Sequence, residues 1–148
     1  MDIKKAIVET TIEVLPMYGL SPVFNGEVDD ERLICAEYFN VIMGVSGAMK
    51  GNMVITAGRS AALKIVSAML GGMECNCVDD MAKSAMGELL NIIAGNALIK
   101  VKADSHIHIS TPTLVIGEKI CILVNRIRSS KLAFNMDGHL LDISFSIE

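Results

Sequence analysis

Asp79-Asp-Met-Ala-Lys-Ser84-Ala-Met-Gly87-Glu88-Leu-Leu-Asn91-Ile-Ile-Ala-Gly95-Asn-Ala-Leu-Ile-Lys100-Val101 is the stretch on which the fold turns. Asp79 or Asp80 opens it as a helix, because acids suit the positive end of the helix dipole. Lys100 and Lys102 suit the other end, so the helix is predicted to run to about Val101. At about 100° per residue, Ser84, Glu88 and Asn91 fall within roughly 60° of one another. A carboxylate and a carboxamide therefore project side by side from one rigid element. Gly87 and Gly95 lie on or near the same stripe, where missing side chains would let another surface approach.

Strands are predicted on the C-terminal side of this helix. His106-Ile-His-Ile-Ser110 alternates apolar and polar residues, Thr113 to Ile116 continues it, and Lys119 to Arg126 follows. Lys131 to Met136 and His139 to Ile147 flank Asp137-Gly138, a tight-turn dipeptide, which predicts a hairpin. Phe134, Met136, Leu141, Ile143 and Phe145 alternate within it. They are candidates for the core or for an apolar sheet edge serving a dimer seam.

On the N-terminal side, Ile3, Ile7, Thr10, Val14 and Met17 follow helical spacing over residues 2–18, with Gly19 at the stop. Over residues 23–37, the preceding Pro22 together with Gly26 and the acidic run Asp29-Asp30-Glu31 interrupts any strand pattern. Phe39–Gly47 and Asn52–Thr56 read as a second antiparallel hairpin about Ala48–Gly51. Ser60 is the expected N-cap of a helix to about Leu70, closed by Gly71-Gly72. Strands cluster instead of alternating strictly with helices. This predicts an α+β domain: an antiparallel sheet with long helices packed on one face. Each half begins with a long helix and continues into strands, a faint internal symmetry.

Composition narrows the function. The 148 residues are 51% apolar and 20% charged, enough for one folded domain over 1–148. A net charge of −4 without basic clusters leaves no footprint for nucleic acid or for an anionic membrane surface. Acids within the first apolar stretch argue against a signal peptide, and no apolar run is long enough to span a bilayer. Four cysteines without a secretory signal read as reduced thiols in a cytoplasmic protein. Cys75-Asn-Cys77 and His106-Ile-His108 invite a zinc reading, but their spacing does not meet the usual ligand pattern, so no metal site is expected. No Gly-x-Ser-x-Gly elbow or Walker-type loop occurs.

A solvated polar stripe is the ordinary reading of Glu88 and Asn91. Two details oppose it. Asn is a poor interior helix residue. Glycine costs roughly 1 kcal/mol against alanine at each of two positions on that line. Either glycine could equally reflect close packing within the fold.

Ser84-x-x-x-Glu88-x-x-Asn91, followed by Ile92-Ile-Ala-Gly-Asn-Ala97, resembles the signature of the CheC/CheX/FliY chemotaxis phosphatases. Ile42 to Ile55, Ala62 to Gly71 and Thr111 to Gly117 resemble segments of the CheX branch in particular. The resemblance implies a CheC-like fold with an internal pseudo-repeat. It implies dephosphorylation of the phosphoaspartate on a CheY-like receiver domain and a homodimer joined through sheet edges. It gives the protein no cofactor of its own, with Mg²⁺ supplied by the receiver. Asn91 would position the hydrolytic water and Glu88 would pair with a receiver lysine. Ser84, Gly87 and Gly95 would lie at the partner surface. In the first helix Lys5, Glu9 and Ile12 stand where Ser84, Glu88 and Asn91 stand in the second. Isoleucine cannot orient water, so a single site is expected. The alternatives are an adaptor that binds a receiver or a flagellar-switch component without catalysis, and a small-molecule domain, which would need a closed pocket.

Overall fold

The computed structural model describes residues 1–31, 33–36, 38–102, 106–118, 120–123 and 129–147, with backbone alone for 29–31, 33–36 and 120–123. Helix α1 (Ile3–Val14) starts where the Asp2 carboxylate accepts the Lys5 N–H at 3.0 Å. One 3-10 turn (Leu15–Tyr18) and a left-handed Gly19 end it. Strands β1 (Pro22–Glu31), β2 (Leu33–Ala36), β3 (Phe39–Gly47) and β4 (Gly51–Ala57) follow. Helices α2 (Arg59–Met69) and α3 (Asp80–Val101) come next, then β5 (Ile107–Ile109), β6 (Thr113–Ile116), β7 (Ile120–Leu123), β8 (Ser129–Met136) and β9 (His139–Ile147).

The main sheet runs β1-β8-β9-β4-β3, with β5 and β6 both on the far side of β3, and every pairing is antiparallel. Strands β2 and β7 form a separate antiparallel pair. Because side chains alternate across a strand, one face collects Val41, Met43, Met53, Ile55, Leu132, Phe134, Ile143 and Phe145, all buried. Ala6, Ile7 and Val14 of α1 and Met86, Leu89, Leu90 and Ile93 of α3 join the same core. The fold is therefore α+β, with both long helices on one side of an antiparallel sheet. Each large side chain buried in this way contributes about 1.5–3 kcal/mol relative to exposure.

Three differences from the sequence reading have physical causes, and one open alternative is decided. The interrupted segment after Pro22 is a strand, because β1 is an edge strand where a proline start is tolerated. A register shift between Phe24 and Glu27 absorbs Gly26 at φ 112°. Ser60 is not the N-cap of α2; Gly58 is, in an extended conformation and without a side-chain cap. The strand expected over Lys119–Arg126 is β7, which pairs with β2 outside the main sheet, and Lys119 and 124–126 lie outside the described residues. The terminal hairpin is not an edge. Strand β1 covers β8 and β4 covers β9, so its apolar residues are core. Its turn is as expected, with Asp137 at φ 52° and Gly138 at φ 87°.

Candidate functional site

Helix α3 is built to be held still. The Asp79 carboxylate accepts the Ala82 N–H at 2.9 Å and caps its start. Near its end, Lys100 Nζ donates to Glu13 Oε2 of α1 at 2.7 Å. Between these points Ala82, Ala85, Met86, Leu89, Leu90, Ile93, Ala94 and Ala97 are buried, so α3 has one outward line. That line carries Ser84, Glu88 and Asn91, all exposed.

Opposite them a second wall rises from the strand after α3. Strands β5 and β6 are two parts of one strand interrupted by a bulge. Val45 pairs with Ile109 and Ile42 with Thr113, so Ser110, Thr111 and Pro112 stand against only Met43 and Gly44. Ser110 closes the gap with its side chain. Its N–H donates to the Gly44 carbonyl at 2.9 Å, and its Oγ accepts the Gly44 N–H at 2.8 Å. The bulge and α3 enclose a cleft of about 630 Å³, lined by Lys83, Ser84, Gly87, Glu88 and Asn91 on the helix and by residues 109–112 and Leu114 across from it.

Within the cleft, the Glu88 and Asn91 side chains have no hydrogen-bond or ion-pair partner among the described residues. The carboxamide offers both donors and an acceptor, and the carboxylate offers acceptors alone. Lys83 brings a cation to the same rim. This set can orient a small polar molecule such as water and can dock against a charged surface. It has no nucleophile–base pair.

The two glycines behave differently. Gly87 is buried, and a Cβ there would lie 3.2 Å from Pro112 Cγ and 3.9 Å from Leu114 Cδ1. It lets α3 and the bulge pack closely within this chain and forms part of the cleft wall. Gly95 is half-buried, outside the cleft, with nothing within 4 Å of an added Cβ. Sequence reading missed Ser110, Thr111 and Pro112 as the second wall. The usable signal was Pro112 inside an apparent strand, since proline in a strand marks an edge or a bulge. On α1 the corresponding positions Lys5, Glu9 and Ile12 offer no carboxamide, and Ile12 is 42% exposed. Cys75 is half-buried, while Cys77, His106 and His108 are exposed. Among the described residues no three His, Cys, Asp or Glu side chains gather to hold a metal ion. Among them no helix is long and apolar enough to cross a membrane.

Comparison with known proteins places this geometry. The family model described as chemotaxis phosphatase CheX matches residues 39–134, which include the central hairpin, all of α3 and the bulge. A curated relative from Thermotoga maritima, CheY-P phosphatase CheX, is 40% identical over 82 residues, covering 55% of this chain and 53% of that protein. The chain thus spans about half the length of that curated relative. Among solved structures, CheX from Desulfovibrio desulfuricans is 23% identical with a TM-score of 0.86, covering 100% of both chains. CheX from Borrelia burgdorferi, solved in a CheX-CheY-BeF3-Mg²⁺ complex, is 22% identical with a TM-score of 0.73 and covers 99% of this chain and 95% of that one. At these identities the two structures speak for the fold alone. A family model that takes in about two thirds of the sequence, with the motif helix entirely inside it, shows that the chain belongs to the CheX family of chemotaxis phosphatases.

Proposed function

We propose that this chain dephosphorylates the aspartyl phosphate of a CheY-like receiver domain, which docks onto the exposed line of α3. One observation carries the reading: Glu88 and Asn91 stand one turn apart on a braced helix, exposed at an open cleft, with no partner among the described residues. The names of the Thermotoga maritima relative and of the Borrelia burgdorferi complex support it.

An acyl phosphate is reactive, so the task left to a phosphatase is to place water in line with the leaving carboxylate oxygen. The Asn91 carboxamide accepts one hydrogen bond from that water and still has N–H groups to direct toward the phosphoryl oxygens. The water oxygen forms a bond to phosphorus as the phosphorus–carboxylate bond breaks, giving inorganic phosphate and a free aspartate. An Asp in place of Asn91 would offer acceptors alone and repel the phosphoryl group. Glu88 pairs with a receiver lysine and fixes the register of docking. Ser84 contacts the partner at the rim, Gly87 holds the cleft to its width, and the open space over Gly95 leaves room for the docked surface. The protein contributes no cofactor. Mg²⁺ held by the receiver would supply charge neutralisation at the phosphoryl group.

Three further points belong to this reading. The chain acts as one domain in the cytoplasm, and it forms a homodimer through sheet edges. Supporting the edge contact, β1 pairs on one side alone among the described residues and carries Val23 at 62% and Val28 at 48% exposure. The domain is an internal pseudo-repeat. In its favour, exchanging β1, β2, β3 and β4 with β6, β7, β8 and β9 leaves the pattern of strand pairing unchanged. The second half alone carries the acid and the amide.

The test is phosphate release from phosphorylated receivers with wild type, Asn91→Ala and Asn91→Asp. Acceleration by wild type that falls about a hundredfold or more in both variants, with unchanged thermal melting, supports the reading. Receiver binding without acceleration by wild type would replace it with an adaptor function.

A further inference from the structure

The outward side of α3 carries more than the acid and the amide. Six of its eight exposed residues are polar or charged; the other two are Met81 at 54% and Ile99 at 62% exposure. Met81 lies seven residues before Glu88 and Ile99 eleven after it, and at about 100° per residue each returns to within roughly 20° of the acid. The exposed arc of α3 is about 220° wide by the same geometry, yet both apolar side chains fall on Glu88's part of it. Gly95 lies on that stripe too, with nothing within 4 Å of an added Cβ. The stripe therefore reads Met81, Glu88, Gly95, Ile99 along about 27 Å of helix. Neither apolar residue lines the cleft.

A single exposed apolar side chain needs no function. These two share one stripe and stand at the two anchored ends of the helix. Met81 follows the Asp79 cap by two residues, and Ile99 precedes Lys100, which is tied to Glu13. The polar centre between them needs such flanks. Glu88 supplies one ion pair, which water and salt weaken while it stays exposed. Asn91 speeds reaction only through contacts that strengthen in the transition state, so it adds little to ground-state binding. A stable docked complex covers about 800 Å² on each partner, more than the acid, the amide and Ser84 present. Apolar contacts on both sides supply affinity and keep water from the pair between them. The open backbone at Gly95 lets one surface reach Glu88 and Ile99 together.

We propose that Met81 and Ile99 are the apolar contacts that hold a docked receiver domain. They select receivers with exposed apolar side chains on both sides of the lysine that meets Glu88, about 10 Å away toward Met81 and about 17 Å away toward Ile99. These roles rest on the receiver docking proposed above, and continuity with that docking line identifies the occupant: a protein that places its lysine on Glu88 lies over this stripe.

The experiment measures phosphate release over a range of phosphorylated-receiver concentrations. It also measures binding of the same receivers held in the phosphorylated form by beryllium fluoride and Mg²⁺. Wild type is compared with Met81→Gln, Ile99→Gln, the double variant and Met17→Gln, whose side chain is 79% exposed and lies off α3. Glutamine keeps the helix propensity at both α3 positions. Each single variant is expected to raise KM and Kd about fivefold to twentyfold, with kcat and melting temperature unchanged. The double variant should show about the product of the two effects, since the sites are far apart. Met17→Gln should change nothing. Wild-type KM and Kd in both single variants, beside full turnover, would overturn the proposal and leave the phosphatase reading standing. Weakened receiver binding in the variants, with no turnover by wild type, would keep these contacts and remove the phosphatase reading. Wild type that neither binds nor dephosphorylates a receiver would overturn both. Altered sedimentation of the free variants with unchanged receiver binding would assign the stripe to a second copy of the chain and overturn the proposal.

Discussion

The ring of Pro112 is seated on Gly87: a Cβ built on the glycine would meet Pro112 Cγ at 3.2 Å. This contact sets how closely the bulge between β5 and β6 approaches α3, and so sets the width of the cleft holding Glu88 and Asn91. Gly87→Ala gains roughly 1 kcal/mol of helix propensity and loses part of it to crowding. Gly95→Ala, with open space around it, keeps the whole gain. Urea denaturation should therefore rank Gly95→Ala above Gly87→Ala in stability by a few tenths to about 1 kcal/mol. Phosphatase turnover should fall more in Gly87→Ala than its stability does.

Ser110 holds the other wall in register through both of its bonds to Gly44. Ser110→Ala leaves the Gly44 N–H without its acceptor. The expected cost is about 1 kcal/mol, since Gly44 is only half-buried. Hydrogen exchange at the Gly44 amide should accelerate selectively, while amides within β4 and β9 stay protected.

Glu88 is exposed and has no partner among the described residues, so its charge is available to a docked protein. Glu88→Gln should leave the melting temperature unchanged and weaken binding of a phosphorylated receiver about threefold to thirtyfold. The affinity that remains should depend less steeply on salt than that of wild type. A titration at two ionic strengths measures both effects.

Asp79 is the anchor at the start of the motif helix. Asp79→Ala removes a cap worth about 0.5–2 kcal/mol and a charge that favours the helix dipole. The denaturation midpoint should fall without a change in slope, and the amides of Ala82 and Lys83 should exchange faster.

Much of this was readable from residues alone because the signals were local. Asp79 at the cap, Lys100 in the last turn and the apolar spacing between them define α3 without reference to any other element. Asp137-Gly138 defines the terminal hairpin in the same way. What escaped was tertiary. Pro22 and Gly26 look like strand breakers until β1 is known to lie at an edge with a bulge to absorb them. Ser60 is the better capping residue, yet β4 continues to Ala57 and the chain turns into α2 at Gly58, before Ser60 is reached. The second wall of the cleft depends on a single-residue mismatch between β3 and its neighbour; Pro112 signals an irregularity there, but which β3 residues it faces is set by pairing with a distant strand. Gly87 read as an opening for another molecule because its contact, Pro112, comes from a different element.

The middle of the sheet has a kinetic consequence. The ladder between β4 and β9 joins residues about ninety positions apart and, among the described residues, is the one strand pairing between the β3–β4 hairpin and the β8–β9 hairpin. Each hairpin can close early and locally, but neither offers α3 a complete bed until that distant pairing forms. The rate at which the cleft is assembled is therefore set by a loop-closure step remote from it. Substitutions along the β4–β9 ladder should slow refolding while leaving the chemistry of the finished protein untouched.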